Sequence, residues 1–212
     1  MTGTTFTEEE LKAGRKLFSA PAHFVMGVAS LEQLPPVKGV EIAIAGRSNV
    51  GKSSLINALT GVVGLARASN TPGRTRELNF FDVAGRLTIV DMPGYGYAKA
   101  SKKDVKQWQA VLRAYLRGRP GLTRAFVLID ARHGIMGHDL EMLDMLDEAA
   151  VPYQLVLTKA DKIKASELSV LQDETLRGIS KRAAALTLIH ATSAEKATGM
   201  PELRAEIAKL LN

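Results

Sequence analysis

The chain has 212 residues, 46% of them hydrophobic, with no cysteine and a formal net charge of +6. That length suits one domain with a sizeable core, and the lack of cysteine excludes disulfides and thiolate metal sites and fits a reducing cytoplasm. No apolar run approaches the ~20 residues of a membrane span, and the opening "MTGTTFTEEELKAGRKLF" lacks the apolar stretch of a signal peptide, so the expectation is a cytoplasmic protein with no membrane partner; a monomer is the expected state.

In chain order, "TEEE" at Thr7–Glu10 reads as a capping box that opens a helix to about Ser19. "LPP" at Leu34–Pro36 breaks the chain, so residues 1–38 read as an N-terminal appendage packing on a core domain of residues 39–212. From Val40 strand and helix alternate. "VEIAIAG" is a strand and "GKSSLINALTG" a helix closing at Gly61. "ELNFFDVAGRLTIVDMPG" reads as two strands about an Ala84-Gly85 hairpin turn. Lys102 to Gly118 sets Val105, Trp108, Leu112, Tyr115 and Leu116 at helical spacing, with Trp108 read as packing. "RAFVLID" is a strand. "GHDLEMLDMLDEAA" is a helix with Leu140, Leu143 and Leu146 on one side and Met142 and Met145 packing. "YQLVLTKAD" is a strand, Ser166 to Arg182 a helix, "LTLIHATS" the last strand and Pro201–Leu211 the last helix. His133 and His138 stand outside any ligand cluster. The alternation predicts an α/β fold in three layers, with a mixed, mostly parallel sheet of six or seven strands and one antiparallel strand from the hairpin.

The positive charge is concentrated. Lys99, Lys102, Lys103, Lys106, Arg113, Arg117, Arg119 and Arg124 face one acid, Asp104, within 26 residues, so this segment carries more than the whole net charge. Such a concentration points to an anionic partner, and nucleic acid is the expected one.

"GRSNVGKS", comprising Gly46, Arg47, Ser48, Asn49, Val50, Gly51, Lys52 and Ser53, matches G-x-x-x-x-G-K-[ST] between a strand and a helix. Its backbone N–H groups can cradle phosphate with help from the helix N-terminus. Lys52 can neutralise the outer phosphates, and the Ser53 hydroxyl can ligate Mg²⁺. Asp91 ends the strand "LTIVD" where phosphate-loop NTPases place an acid that reaches Mg²⁺ through water. Met92 and Pro93 follow it, and the Gly94 N–H can meet a terminal phosphate. "TKAD", Thr158, Lys159, Ala160 and Asp161, places a carboxylate that can accept from guanine N1–H and its 2-amino group, which adenine cannot satisfy. The stem of Lys159 can lie along the base. "ATSA", Ala191 to Ala194, can give a backbone N–H to guanine O6. Mg²⁺–GTP is therefore the expected ligand. A phosphate-loop ATPase or kinase is the rival that Asp161 opposes, and an RNA-binding scaffold with a structural, non-hydrolysed nucleotide is the other.

With these motifs in this order the chain resembles the translation-factor-like (TrmE-Era-EngA-EngB-Septin-like) GTPases. More closely it resembles the EngB group, also called YihA/YsxC, of bacterial ribosome-biogenesis GTPases. The stretches that carry the resemblance are "GRSNVGKSSLINAL", "TPGRT" with "LNFF", "DMPGYGYA", "WQAVLRAYL", "DARHG", "TKADK" and the closing "TSA". The resemblance implies a Ras-like fold and slow GTP hydrolysis as a switch in large ribosomal subunit assembly, with subunit RNA as partner and a link to cell division and septation. It implies that Thr75 completes the Mg²⁺ shell, that Gly73, Arg74, Thr75, Arg76 and Glu77 line the nucleotide, and that Thr192, Ser193 and Ala194 contact the base. Lys52, Thr75 and Gly94 are the candidate catalytic residues. The chain departs from the group in having Arg76-Glu77 for Gln-Thr, and it has Thr158 in place of asparagine, whose shorter reach implies modest nucleotide affinity. Tyr95 stands where Ras-like enzymes carry a water-orienting glutamine. Asn49 stands where a related group of GTPases holds K⁺, which makes K⁺ a second candidate ion.

Overall fold

One mixed sheet organises the chain, in a computed structural model that describes residues 5–67, 77–96 and 102–211, without the side chains of 102–107. In chain order the elements are α1 (Glu8–Phe18), β1 (Ala22–Val28), β2 (Val40–Gly46), α2 (Lys52–Thr60), β3 (Leu78–Val83), β4 (Leu87–Asp91), α3 (Lys102–Gly118), β5 (Leu122–Asp130), α4 (Gly137–Glu148), β6 (Tyr153–Thr158), α5 (Ala165–Ile179), β7 (His190–Ala191) and α6 (Met200–Ala208). The seven strands lie in the order β1-β3-β4-β2-β5-β6-β7. β3 runs against its neighbours β1 and β4, and the pairs among β4, β2, β5, β6 and β7 are parallel.

The strands alternate between two apolar layers. In β2, Ile42 and Ile44 face Leu17 and Phe18 of α1, Leu55, Ile56 and Leu59 of α2, and Leu203 and Ile207 of α6. Ala43 and Ala45 face Leu112, Tyr115 and Leu116 of α3, Leu143 and Leu146 of α4, and Ile179 of α5. A sheet apolar on both faces needs helices on both, which gives three layers. Trp108 is half-buried against the second layer. In α4 the buried apolar residues are Met142, Leu143, Met145 and Leu146, whereas Leu140 is 41% exposed, so the apolar face is set by the methionines and two leucines rather than by all three leucines.

The capping box of α1 is present: the Glu10 N–H donates to Thr7 Oγ1 at 3.2 Å and the Thr7 N–H to Glu10 Oε2 at 2.8 Å. Residues 22–28, in the segment read as an appendage, form an edge strand of the sheet itself. This strand was not read from the sequence because its exposure shows no alternation and a bulge interrupts it between Phe24 and Met26. α1 lies so close to α6 that a Cβ on Gly14 would meet the Ala205 backbone nitrogen at 2.6 Å. The last strand is shorter than predicted: of "LTLIHATS" only His190 and Ala191 pair with β6.

The basic segment divides in two. Arg119 donates to both oxygens of buried Glu41, and Arg124 pairs with Glu206 at 2.7 Å while also bonding Gln154. Arg113 and Arg117 pair with Glu148 on the surface. These four arginines are occupied within the fold, by acids distant in sequence. Lys99 and the side chains of Lys102, Lys103 and Lys106 lie outside the described residues.

His190 supplies a pH test of the fold. It is buried in β7, and its Nε2 has no hydrogen-bond partner among the described residues. Burial lowers its pKa from 6.5 to about 4, with Glu206 opposing and Arg124 and Lys209 assisting. Because the folded ring resists a proton that the unfolded ring accepts, stability should fall as pH drops from about 6.5 to about 4. At full effect this costs ~1.4 kcal/mol per pH unit. Urea unfolding across this window should show the slope in the parent chain and a reduced slope in His190→Gln; equal slopes would clear His190 of the effect.

Candidate functional site

The parallel strands β2, β4, β5, β6 and β7 end on one edge of the sheet, and every predicted site residue that the structure describes, save Glu77, stands on that edge. Strand order reverses beside β2, where a crevice outside the carboxyl ends receives ligands in such sheets.

The loop after β2 wraps from Gly46 to Gly51. Gly51 has φ 110° and precedes α2, whose first turn receives no side-chain cap. The uncapped N–H groups and the helix dipole make that end attractive to an anion. The loop is fastened from outside: the Thr158 hydroxyl donates to Val50 O at 2.7 Å, and Lys159 Nζ donates to Asn49 O at 2.8 Å. Thr158, the residue in place of asparagine, is thus buried and bound to the loop, and Asn49 is exposed with φ 64°. Lys159 Nζ also pairs with Asp130 Oδ2 at 2.8 Å, and Arg132 holds both Asp130 oxygens. Burial works to raise the Asp130 pKa, but the Arg132 and Lys159 bonds outweigh it and hold the carboxyl well below its usual range.

On the other side of the loop, Asp91 ends β4 opposite Ile44, and the Met92 N–H donates to Ile44 O at 2.9 Å. Asp91 Oδ1 is buried without a hydrogen bond among the described residues, and Lys52 Nζ lies 3.9 Å from it. Burial pushes the Asp91 pKa up to about 6, against the pull of Lys52. The Ser53 hydroxyl donates weakly to Arg67 O at 3.4 Å, leaving its oxygen lone pairs available. A carboxylate oxygen without a hydrogen bond among the described residues and a hydroxyl oxygen with free lone pairs are the hard donors that suit a cation such as Mg²⁺. Among the described residues no group of three or more histidines and acids could hold a metal alone, so phosphate oxygens and water would complete such a shell.

Pro93 and Gly94 follow Asp91, and Gly94 presses on the loop: a Cβ there would stand 2.9 Å from Ser48 Oγ and 3.0 Å from Ser48 Cα. Any side chain at 94 would lift this turn. Next, Tyr95 bridges to Arg47, and its carbonyl accepts the Ser48 N–H at 3.0 Å.

Past β6, Lys159 adopts φ 56° and leads into a short turn, Ala160–Lys162, that carries Asp161. The Ala160 N–H donates to Thr192 O at 3.1 Å, which fastens this turn to Thr192, Ser193 and Ala194 after β7. The Ser193 hydroxyl, then Lys162, holds the Asp161 pKa below its usual value. Its Oδ2 is buried and accepts no directed hydrogen bond among the described residues, but the Lys162 ammonium pairs with it at 3.1 Å. Of the threonine segment, Gly73, Arg74, Thr75 and Arg76 lie outside the described residues. Glu77 is described, and its carboxylate rests over Gly27 of β1, with β3 and β4 between β1 and the loop strand.

Sequence reasoning missed one cluster. Asp139 in the first turn of α4 is fully buried; it accepts the Tyr95 hydroxyl at 3.0 Å and the Met136 N–H at 2.9 Å, and Arg47 Nε lies 3.2 Å from it. Only an acid at the start of the α4 pattern signalled it, and that signal is shared by many helix caps.

A family model described as "50S ribosome-binding GTPase" matches residues 41–159. A protein of Caulobacter vibrioides named "Probable GTP-binding protein EngB" is 57% identical over 205 residues, covering 97% of this chain and 90% of its own length. One of the same name from Hyphomonas neptunium is 56% identical, covering 97% and 94%. A crystal structure of a probable GTP-binding protein engB superposes with a TM-score of 0.64 at 25% identity, covering 81% of this chain and 98% of that one. The bacterial selenocysteine-specific elongation factor EF-Sec shares the fold, with a TM-score of 0.61 at 23% identity over 82% of this chain and 29% of its own.

Proposed function

The chain belongs to the EngB family of GTP-binding proteins, and from that premise we propose that it binds Mg²⁺–GTP, hydrolyses it slowly and acts as a switch in assembly of the large ribosomal subunit. The observation that carries the nucleotide part is a pair of carboxylates flanking one phosphate loop, each with a buried oxygen that accepts no hydrogen bond among the described residues: Asp91 Oδ1 and Asp161 Oδ2. Buried polar atoms are normally paired, so Asp91 Oδ1, whose nearest cation lies 3.9 Å away, calls for a ligand, whereas Asp161 Oδ2 has the Lys162 ammonium at 3.1 Å and would exchange part of that pairing for the base. Asp91 faces the metal and phosphate end, and Asp161 the base.

In this reading Gly46 to Ser53 cradle the phosphates and Lys52 neutralises the outermost. Ser53, Asp91 through water, and Thr75 would hold Mg²⁺, which would supply charge neutralisation at the phosphoryl oxygens. Gly94 offers its N–H to the terminal phosphate. Tyr95 cannot orient water as glutamine does, which accounts for slow turnover. Asn49 is the candidate K⁺ ligand, and turnover faster in potassium than in sodium is its test.

Asp161→Ala should weaken GDP and GTP binding by at least about a hundredfold, because two hydrogen bonds to a charged acceptor are lost. Calorimetry with GDP and ADP reads it; unchanged GDP affinity would sink the base assignment.

The ribosomal part draws on the description of the matching family model and on Lys99, Lys102, Lys103 and Lys106, the basic residues of that segment outside the arginine ion pairs. Contact with RNA phosphate should be salt-sensitive. Co-sedimentation with large ribosomal subunits tests it, in GDP and in a non-hydrolysable GTP analogue at two salt concentrations. Binding favoured by the analogue and lost on alanine replacement of the four lysines is expected; equal pelleting in both nucleotides removes the switch. A cytoplasmic monomer linked to cell division is the setting of this proposal.

A further inference from the structure

We propose that Asp139 is a positioning residue for GTP hydrolysis: by accepting the Tyr95 hydroxyl and pairing with Arg47, it clamps the turn that carries Gly94 onto the phosphate loop. The inference rests on the hydrolysis reading above and adds to it a residue 45 positions beyond Gly94.

Three elements converge on this carboxylate. Its Oδ1 accepts from Tyr95, one residue after Gly94; its Oδ2 accepts from Met136 N–H and lies 3.2 Å from Arg47 Nε, one residue after Gly46. A helix cap explains only the Met136 bond. The other two contacts come from the two segments whose separation determines whether the Gly94 N–H can reach a terminal phosphate. Backbone contacts already join those segments, through the Arg47–Tyr95 bridge and the Ser48 N–H on Tyr95 O. The close fit of Gly94 on Ser48 leaves no slack between them.

The clamp also gives Tyr95 a purpose. A tyrosine cannot replace the water-orienting glutamine, but its hydroxyl reaches across to α4 and ties the turn to a rigid element. Asp139 has no exposed surface, so among the described residues its charge is held by these donors, with His138 nearby, and not by water. Arg47 Nε makes no directed hydrogen bond among the described residues, so it is held by charge. Releasing Asp139 therefore frees both the turn and the first side chain of the loop.

The test uses the full chain with Tyr95→Phe, Asp139→Asn and the double variant. Phosphate release in a single turnover is compared with GDP and GTP-analogue affinity. Loss of a hydrogen bond to a charged acceptor should slow release about tenfold in each single variant. Nucleotide affinity should stay within about twofold, because the two substitutions leave the Ser48 N–H on Tyr95 O in place and, of the predicted nucleotide contacts, only Arg47 pairs with an altered side chain. The double variant should be no slower than the slower single, since both break one clamp. Tyr95→Phe keeps the ring, so it stands as the check should Asp139→Asn fold poorly. Unchanged release in Tyr95→Phe would overturn the proposal. So would a fall in release matched by an equal fall in GDP affinity, which marks a purely structural role. An unsubstituted chain that binds GTP and never releases phosphate would sink the hydrolysis reading itself, and is seen before any variant is compared.

Discussion

Lys52→Ala should weaken GTP binding by more than tenfold, ~1.4 kcal/mol, and GTP more than GDP. The Lys52 side chain is 12% exposed at the end of the loop, 3.9 Å from Asp91. Its removal leaves the outer phosphates without their nearest fixed positive charge. The same change takes from Asp91 the cation that opposes its burial, so the carboxyl that burial has raised to about 6 moves higher still. Calorimetry with both nucleotides measures the loss. Affinity unchanged for both would remove the loop from the binding site.

Arg119→Ala should cost about 3–5 kcal/mol of folding stability, roughly 10 °C in Tm for a chain of this size. Glu41 is 1% exposed at the start of β2, at the opposite end of the strand from the phosphate loop. Arg119 grips both its oxygens, at 3.0 and 2.8 Å on Oε2 and 3.1 Å on Oε1, and Tyr115 donates its hydroxyl to the same carboxylate. The arginine also bonds Pro35 O at 2.8 Å and lies over the Phe80 ring at 5.6 Å. Truncating it strands a buried charge. Replacing Glu41 and Arg119 together by leucine, with Tyr115→Phe so that no hydroxyl loses its acceptor, should recover most of the loss, because the penalty comes from the orphan and not from the missing attraction. Thermal unfolding of the three chains decides this; an Arg119→Ala chain as stable as the parent would show that water reaches Glu41.

The phosphate loop, Asp91 and "TKAD" were legible because each is a local pattern at a strand end, and the parallel sheet brings such ends to one edge. The hairpin and the capping box were legible for the same reason. What was not legible depends on partners far along the chain. Arg119 and Arg124 looked like part of a basic surface until Glu41 and Glu206, 78 and 82 residues away, were found against them. The Tyr95–Asp139 bond spans 44 residues. Edge strand β1 escaped because only its last residue, Val28, is fully buried, so its apolar residues carry no two-residue rhythm. Thr158 reads from the sequence as a shortened base contact, and what the sequence could not show is that its hydroxyl secures Val50, 108 residues away.

The close approach of α1 to α6 bears on how the chain folds as it is made. Gly14 rests on the backbone of Arg204 and Ala205, and Lys209 reaches Glu10 at 2.7 Å. The earliest described helix therefore finds its partner only after some two hundred residues have been synthesised. β1 likewise waits for β3. Sequence-distant pairings of this kind slow folding, and until α6 emerges the apolar face of α1, with Leu17 and Phe18, has no helix to cover it. The nascent chain should thus expose that face to chaperones through most of its translation, and a Gly14→Leu chain, which cannot close the contact, should keep exposing it after release.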